Sequence, residues 1–305
     1  MKVLIATEKP FSKVAVDGIR EVTDKAGYEL VLLEKYTEKA QLLDAVKDAD
    51  ALIVRSDKVD AEVIDAAKQL KIVVRAGAGF DNLDLEACTS HNVVCMNTPG
   101  QNANSVAELV FGMMVYAVRN FFNGTSGTEL LGKKLGILAF GNVGRNVARI
   151  AKGFGMEVMA YDAYCPKDVI EAAGVKAVDC QDDLFEQCDI VSLHIPATPE
   201  TRQSIGYSLV NKMKKGGILV NTARKEVIDE AGLLKLLEER ADLKYMTDIK
   251  PDMDAEFAEK AAGHYFATPK KMGAQTAEAN VNAGIAAAHQ IVGFLEQGIT
   301  KFKLN

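Results

Sequence analysis

The feature that most constrains the fold of this chain is an alternation of short aliphatic, β-branched runs with amphipathic stretches, repeated in two series. The runs of the first series are residues 2–6, 29–33, 51–55, 71–75 and 92–96. The runs of the second series are residues 135–139, 157–161, 189–193, 217–221 and 245–249. Strands that alternate with helices are typical of βαβ units, whose parallel sheets are buried on both faces. The sequence therefore predicts an α/β protein with two doubly wound parallel-sheet domains.

Two longer apolar stretches do not follow the strand pattern. Residues 104–119 and 276–297 are predicted to be long helices that carry the chain from one domain to the other. The chain has 305 residues, of which 48% are apolar, and this is enough for about two domains with separate cores.

Charge and cysteine content exclude several classes of protein. The formal net charge of -6 provides no positive field, so neither a nucleic acid nor a membrane surface is an expected partner. Residues 1–11 contain only a short apolar run, which predicts neither a signal peptide nor a membrane span and favours a cytoplasmic location. The five cysteines include no C-x-x-C pair, so we expect reduced thiols, without a disulfide framework or a metal site.

A glycine turn follows the first strand of the second series. Gly141 would let the backbone approach a pyrophosphate, and Gly144 would let the following helix pack closely on the strand. Asn142 and Val143 lie at the start of that helix, whose N-terminus attracts phosphate. Ala139 stands where such turns usually have their first glycine, so the pattern by itself is also compatible with an ordinary strand-to-helix turn.

An acidic residue completes this predicted nucleotide site. Asp162 ends the next strand, about twenty residues after the glycine turn, where a carboxylate accepts hydrogen bonds from ribose hydroxyls. The same carboxylate would repel a 2′-phosphate, so the sequence predicts NAD rather than NADP as the cofactor. A solvated aspartate in a turn is the structural alternative.

Several further stretches carry a more specific pattern. They are VRAGAGFDNLD (74–84), NTPGQNANSVAELV (97–110), LHIPATPETR (193–202), NTARKEVIDEAGL (221–233) and TPKKMGAQT (268–276). Together with the glycine turn, they give a chain that resembles the D-2-hydroxyacid dehydrogenase family over essentially its whole length. Within the family, it is most similar to the short members that oxidise 3-phospho-D-glycerate, a step of serine biosynthesis.

The resemblance implies a division of the chain into two domains. It predicts a flavodoxin-like substrate domain at residues 1–100, completed by residues 284–305, and an NAD-binding Rossmann domain at residues 101–283. It also implies a homodimer formed through the cofactor domain. The chain ends at Asn305, so we expect no C-terminal regulatory domain and no feedback by serine through one.

Arg224 is the residue to which the resemblance assigns the central role. A planar guanidinium can bind a carboxylate through two parallel hydrogen bonds and can stabilise the alkoxide that forms during hydride transfer. A surface arginine in a capping loop is the structural alternative.

The resemblance assigns the remaining binding residues as follows. The substrate would be bound by the backbone of Gly77 and Ala78 and, at its distal phosphate, by Arg55, Ser56 and Asn102. The further cofactor contacts would be His194, Pro196, Thr201, Thr222, Ala223 and Asp248.

The chain departs from the family at the catalytic histidine and its paired glutamate. The segment TPKKMGAQT has no histidine and carries one extra residue, so either Lys270 or Lys271 takes the histidine position. We favour Lys271, because the Gly-Ala turn that follows should set its direction. A lysine could act there as a proton donor and acceptor or as a fixed positive charge, and an exposed basic pair is the structural alternative.

The sequence does not determine which residue replaces the family glutamate, nor the role of a nearby histidine. The glutamate position falls on Met253, between Asp252 and Asp254, so the acid/base pair of the family cannot be carried over. His264 could be a helix-end residue, which we favour, or a partner of the lysine.

The activity that follows from the resemblance is the NAD-dependent oxidation of 3-phospho-D-glycerate to 3-phosphohydroxypyruvate. A hydroxypyruvate or glyoxylate reductase is the alternative within the family, since both would bind a small anionic 2-keto acid. An NAD-sensing, corepressor-like binding protein is the alternative of another class, because the histidine and glutamate are both absent.

Overall fold

The computed structural model describes all 305 residues, which form two compact units. Unit 1 comprises Met1–Asn102 and Gln275–Asn305, and unit 2 comprises Ala103–Ala274. The predicted boundary after residue 100 lies close to this division. The predicted return at residue 284 lies inside the last helix, Ala277–Gln297, all of which belongs to unit 1.

Unit 1 is built around a five-stranded sheet with the strand order β2-β1-β3-β4-β5, and all of its pairs are parallel. Its elements are β1 (Lys2–Thr7), α1 (Lys13–Lys25), β2 (Glu29–Glu34), α2 (Lys39–Ala45), β3 (Ala51–Val54), α3 (Ala61–Ala66), β4 (Ile72–Arg75), α4 (Leu85–Ser90), β5 (Val94–Asn97) and the last helix, α12 (Ala277–Gln297). The central strand β3 is buried along its whole length, as expected for a sheet that is covered on both faces.

Helix α12 can pack on this sheet because small residues line its buried side. Ala283, Ala287 and Ala288 are buried, and a Cβ on Gly284 would lie 3.0 Å from Ile19 and 3.1 Å from Phe11. The helix begins at Thr276, whose hydroxyl accepts a hydrogen bond from the Ala279 amide, and the predicted helix at 276–297 is confirmed. None of the helices in the chain has the length and apolar character that crossing a membrane requires.

Unit 2 contains a seven-stranded sheet with the order β12-β11-β10-β9-β6-β7-β8, again with parallel pairs throughout. Its elements are α5 (Ala103–Val118), β6 (Lys134–Leu138), α6 (Asn142–Gly153), β7 (Glu157–Tyr161), α7 (Lys167–Ala172), β8 (Lys176–Ala177), α8 (Gln181–Gln187), β9 (Ile190–Leu193), α9 (Tyr207–Val210), β10 (Ile218–Asn221), α10 (Glu230–Glu239), β11 (Lys244–Thr247), α11 (Asp254–Lys260) and β12 (Tyr265–Ala267). The fold class predicted from the alternating pattern is therefore confirmed. The sequence did not predict the two short edge strands, β8 and β12.

The register of unit 2 brings the carboxyl ends of its strands into one row. Leu138 at the end of β6 pairs with Tyr161 and with Leu193, and Asn221 pairs with Leu193 and Thr247. The loops after β6, β7, β9, β10 and β11 therefore leave the sheet along one edge. The strand order reverses between β6 and β9, which is where parallel sheets of this kind bind their ligands.

The turn between β6 and α6 has unusual backbone geometry. Ala139 has a φ of 78°, in the left-handed region that favours glycine. A Cβ on Gly144 would lie 2.3 Å from the Ala139 carbonyl oxygen, whereas a Cβ on Gly141 would have no heavy atom within 4 Å. Gly144 is therefore required for the packing of the helix on the turn, and Gly141 is not.

We predict that Gly144→Ala lowers the free energy of unfolding by about 1–2 kcal/mol, because the clash with backbone exceeds the roughly 1 kcal/mol that alanine adds to helix propensity. Gly141→Ala is the matched control and should change the free energy of unfolding by less than about 1 kcal/mol. Urea unfolding followed by circular dichroism measures both variants. Equal stability of Gly144→Ala and the parent would contradict the close approach of Gly144 to the Ala139 carbonyl oxygen.

Candidate active site

The turn after β6 leaves space and hydrogen-bond donors for an anion. Gly141 is the N-cap residue of α6, and no side chain caps this helix end. The open space beside Gly141 lies at the end of the helix that carries unpaired N–H groups and partial positive charge. This geometry fits a bound pyrophosphate, as predicted for Gly141, Asn142 and Val143.

Asp162 is fixed beside the turn by three backbone amides. Its Oδ2 accepts a hydrogen bond from the Phe140 amide at 2.7 Å, and its Oδ1 accepts from Tyr164 at 2.7 Å and Cys165 at 2.8 Å. Each carboxylate oxygen has two lone pairs, so Oδ1 is fully used and Oδ2 can accept one further hydrogen bond, from a ribose hydroxyl. The structure thus places the predicted ribose ligand next to the predicted pyrophosphate turn and links the two through Phe140.

His194 lies directly after β9, and its ring is neutral at pH 7. Its Nε2 lies 3.0 Å from Ser192 Oγ, and burial lowers the pKa of the imidazole to about 3. Burial thus favours the neutral form of this imidazole near pH 7. The geometry therefore agrees with the predicted contact role of His194 rather than with that of a substitute catalytic histidine.

The loop after His194 is shaped by a threonine. Thr201 Oγ1 donates to the Pro196 carbonyl at 2.5 Å and accepts from the Thr198 amide at 2.7 Å. Thr201 therefore orders the loop that carries Pro196, and a direct cofactor contact by Thr201 stays a prediction.

Arg224 is positioned by the amide side chain of Asn221, which ends β10. Asn221 Oδ1 accepts from the Ala223 amide at 2.9 Å, and Asn221 Nδ2 donates to the Arg224 carbonyl at 3.0 Å. The guanidinium donates to the Ala223 carbonyl at 2.9 Å and forms no salt bridge within the chain, whereas Lys225 pairs with Asp252. The nearby hydroxyl of Thr222 is buried without a hydrogen-bond partner. This loop therefore presents an uncompensated cation and an unsatisfied polar atom, both of which an anionic ligand can satisfy.

Lys270 and Lys271 lie on the loop that follows β12, and both are exposed. Asp248 is buried beneath this loop, and its carboxylate accepts hydrogen bonds from Met272 and Gly273. The structure thus shows Asp248 as a support of the lysine loop, and the cofactor contact assigned to it from the sequence stays a prediction.

The residues around the expected glutamate position have other partners. Asp252 pairs with Lys225, and Asp254 pairs with Lys250 and accepts from the Tyr265 hydroxyl. His264 is buried, and its Nδ1 lies 3.0 Å from the Leu243 carbonyl oxygen. This contact agrees with a structural role for His264, which stays a prediction.

The glycine loop of unit 1 follows β4 and is held by residues at the end of β5. The Thr98 amide donates to the Gly77 carbonyl at 2.9 Å, and Asn97 Nδ2 donates to the Ala78 carbonyl at 2.6 Å. Because the N–H of a trans peptide points away from its carbonyl, the Ala78 amide faces away from Thr98. The Gly77 amide donates to the Arg75 carbonyl at 2.9 Å. Of the two amides predicted to bind substrate, only that of Ala78 is available.

Two arginines of unit 1 lie close together. Arg55 Nη1 donates to the Lys9 carbonyl at 2.9 Å, its Nη2 donates to Asn280 Oδ1 at 2.5 Å, and its carbonyl accepts from Arg75 Nε at 3.0 Å. Burial lowers the pKa of both guanidinium groups, and the charge of Arg55 lowers the pKa of Arg75 further. Neither arginine forms a salt bridge with a carboxylate.

The sequence reasoning missed Arg75, although it lies in the stretch 74–84 that carries the resemblance. Of the other residues predicted at the distal phosphate, Ser56 is exposed directly after Arg55, and Asn102 is the last residue before unit 2. Unit 1 therefore contains two neighbouring guanidinium groups without a direct carboxylate contact, and an anionic ligand would stabilise both charges.

Comparison with known proteins agrees with this geometry. Residues 116–262 match the family described as "D-isomer specific 2-hydroxyacid dehydrogenase, NAD binding domain". The chain is also similar to a crystal structure, that of NAD⁺-bound 3-phosphoglycerate dehydrogenase from Entamoeba histolytica. The sequence identity is 49% and the TM-score is 0.87, and the match covers 100% of this chain and 98% of the Entamoeba chain.

Two curated relatives have different names. The D-3-phosphoglycerate dehydrogenase of Methanocaldococcus jannaschii is 40% identical over 88% of this chain and 54% of its own length. The hydroxypyruvate reductase of Thermotoga maritima is 39% identical over 89% of this chain and 92% of its own length. The chain spans about half the length of the curated phosphoglycerate dehydrogenases that it matches. With its NAD-binding domain and this likeness over its full length, the chain belongs to the D-2-hydroxyacid dehydrogenase family.

Proposed function

We propose that this chain oxidises 3-phospho-D-glycerate to 3-phosphohydroxypyruvate with NAD. The observation that carries the proposal is the set of arginines without a carboxylate partner, with Arg224 in unit 2 and Arg55 and Arg75 in unit 1. Carboxylate and phosphate are the anions that guanidinium groups bind through parallel hydrogen bonds, and 3-phospho-D-glycerate carries one of each. The names of two similar proteins, the phosphoglycerate dehydrogenases of Methanocaldococcus jannaschii and Entamoeba histolytica, support the same reaction.

The residues at the carboxyl edge of the unit 2 sheet fit NAD. The backbone of Gly141, Asn142 and Val143 would bind the pyrophosphate, and Asp162 would accept hydrogen bonds from the ribose hydroxyls. His194, Pro196 and Ala223 would lie against the nicotinamide half, and the unpartnered Thr222 hydroxyl would find a partner in the bound state. NAD held by these residues would supply the hydride acceptor for oxidation at C2 of the substrate.

Arg224 and Lys271 would act on the reacting end of the substrate. The Arg224 guanidinium would bind the carboxylate and the C2 oxygen, which develops negative charge as its proton leaves. Lys271 would take the proton from the C2 hydroxyl during oxidation and return it during reduction. A fixed positive charge at the C2 oxygen is the alternative role for this lysine.

The residues of unit 1 would bind the rest of the substrate. Ala78 would donate its amide to the carboxylate, and Arg55, Arg75, Ser56 and Asn102 would bind the distal phosphate. Hydroxypyruvate reduction is the second candidate function, because the hydroxypyruvate reductase from Thermotoga maritima is matched over nearly its full length. Phosphohydroxypyruvate has a phosphate that hydroxypyruvate lacks. Whether Arg55 and Arg75 bind that phosphate therefore distinguishes the two candidate functions.

The proposal includes a homodimer that forms through unit 2 and a cytoplasmic location. Unit 2 exposes large apolar side chains, with Phe122 at 66% and Leu131 at 68% exposure, which a second copy of the chain would cover. The five cysteines form no disulfide, as is usual in a reducing compartment.

We predict that the chain uses 3-phosphohydroxypyruvate at least about tenfold better, in kcat/KM, than hydroxypyruvate or glyoxylate, because a phosphate held by two arginines contributes more than about 1.4 kcal/mol. Arg75→Met should remove most of this preference. NADH oxidation with a panel of 2-keto acids measures both effects. Equal or better turnover of hydroxypyruvate would make the chain a hydroxypyruvate reductase, and no turnover of any 2-keto acid would favour an NAD-sensing binding protein.

We predict that Arg224→Lys lowers kcat/KM by about a hundredfold, because lysine keeps the charge but loses the two parallel hydrogen bonds. Lys225→Arg is the matched control, since its side chain pairs with Asp252 at the surface, and it should stay within about twofold of the parent. Steady-state kinetics of the two variants checks the assignment. Parent-like activity of Arg224→Lys would show that Arg224 does not bind the substrate.

We predict that Lys271→Met lowers turnover by about a hundredfold with little change in the affinity for NAD, and that Lys270→Met has a much smaller effect. If Lys271 transfers the proton, oxidation in the parent becomes faster as rising pH deprotonates the lysine, this rise disappears in Lys271→Met, and Lys271→Arg stays impaired. Substantial rescue by arginine would instead assign a fixed charge. Full activity of both methionine variants would contradict a catalytic lysine on this loop.

A further inference from the structure

The side chain of Asp248 forms its hydrogen bonds with the loop that carries the two lysines. Its side chain is fully buried directly after β11. Oδ1 accepts from the Met272 amide at 2.7 Å and lies 2.9 Å from Thr268 Oγ1, and Oδ2 accepts from the Gly273 amide at 2.8 Å. The carboxylate therefore holds the loop at both ends, before Lys270 and after Lys271.

Ser105 holds the same loop from the side of helix α5. Its Oγ donates to the Gly273 carbonyl at 2.6 Å, so the serine and the aspartate bind the two backbone groups of one residue. A Cβ on Gly273 would lie 3.0 Å from Asp248 Oδ2 and 3.2 Å from Val106 Cγ2, so a larger residue would crowd the aspartate and the helix. Gly273 is thereby fixed in position by strand β11 and helix α5 together.

These contacts bear on the lysines because Lys270 and Lys271 are the exposed residues between the two points of attachment. The segment is one residue longer than the pattern TP-His-x-GA of the family, so its length alone does not determine which lysine faces the substrate. The hydrogen bonds of Asp248 to consecutive amides determine the backbone direction immediately after Lys271. Hydrogen bonds to a buried carboxylate are among the stronger ones in a protein, which suits them to this role.

We propose that Asp248 and Ser105 are positioning residues that orient the loop so that Lys271, and not Lys270, reaches the substrate. This inference rests on the proposed function of Lys271. Neither residue needs to touch the substrate or the cofactor for this effect, because a displacement of about 1 Å of a catalytic group can cost about a hundredfold in rate.

The test uses Ser105→Ala in the full-length chain, since this change removes one hydroxyl from a helix without adding bulk. We expect kcat to fall by about tenfold or more while the KM for NADH stays within about twofold, and Ser105→Thr to restore much of kcat. Ser90→Ala is the matched control, because its hydroxyl also donates to a backbone carbonyl, that of Ala87 at 2.8 Å, and it lies in unit 1. Unchanged kcat in Ser105→Ala would overturn the proposal.

A double-mutant cycle separates positioning from general destabilisation. In a Lys271→Met background, Ser105→Ala should have little further effect on kcat, because the group that it positions is gone. Undiminished additional loss in that background would overturn the proposal, since it would mean that Ser105 acts independently of Lys271.

Hydrogen exchange provides a readout that does not depend on activity. In Ser105→Ala and in Asp248→Asn, the amides of Met272 and Gly273 should exchange at least about tenfold faster than in the parent, with the rest of unit 2 unchanged. Unchanged exchange of these amides in both variants would overturn the proposal. If the parent turns over none of the 2-keto acids, the proposed function fails, and hydrogen exchange still decides whether the two residues order the loop.

Discussion

The burial of both faces of each parallel sheet is the constraint on which the rest of this structure depends. Strands such as β3, β9 and β10 are buried along their whole length, so neither face of these strands is open to a ligand. Because all strands of a sheet run in the same direction, their carboxyl ends lie along one edge. Polar side chains can act together only there, and the glycine turn, Asp162, His194 and Arg224 all follow strand ends of unit 2.

The loops at these edges are fixed by one recurring device, a carboxylate or amide side chain at a strand end that bonds to the backbone of a loop. Asp162 binds the turn after β6, Asn221 the arginine loop, Asp248 the lysine loop, and Asn97 the glycine loop of unit 1. Each side chain is short, so its bonds restrict the loop closely. A loop held in this way loses little conformational freedom when a ligand binds, which is the condition for preorganised binding and catalysis.

Much of the fold could be predicted because the signals were local. Ten strands follow from runs of aliphatic residues, and the long helices at Ala103–Val118 and Ala277–Gln297 follow from extended apolar stretches. The strands β8 and β12 were missed, since two and three residues at a sheet edge carry no periodic pattern. The return to unit 1 was placed at residue 284, because the sequence does not show that small residues of α12 pack on the sheet of unit 1 from the first turns of the helix.

The residues of the candidate site also fall into two groups, those that local sequence motifs predict and those whose contacts only the tertiary structure shows. The sequence by itself determined the residue types, such as Gly141 and Asp162 at the turn and Arg224 after β10, because short motifs place them relative to strand ends. Only the tertiary structure decided that Asp248 supports the lysine loop, that Arg75 joins Arg55, and that the Gly77 amide is already used. The physical reason is that a hydrogen bond between residues far apart in the chain depends on distance and direction, and both are set by the packing of sheets and helices rather than by any local pattern.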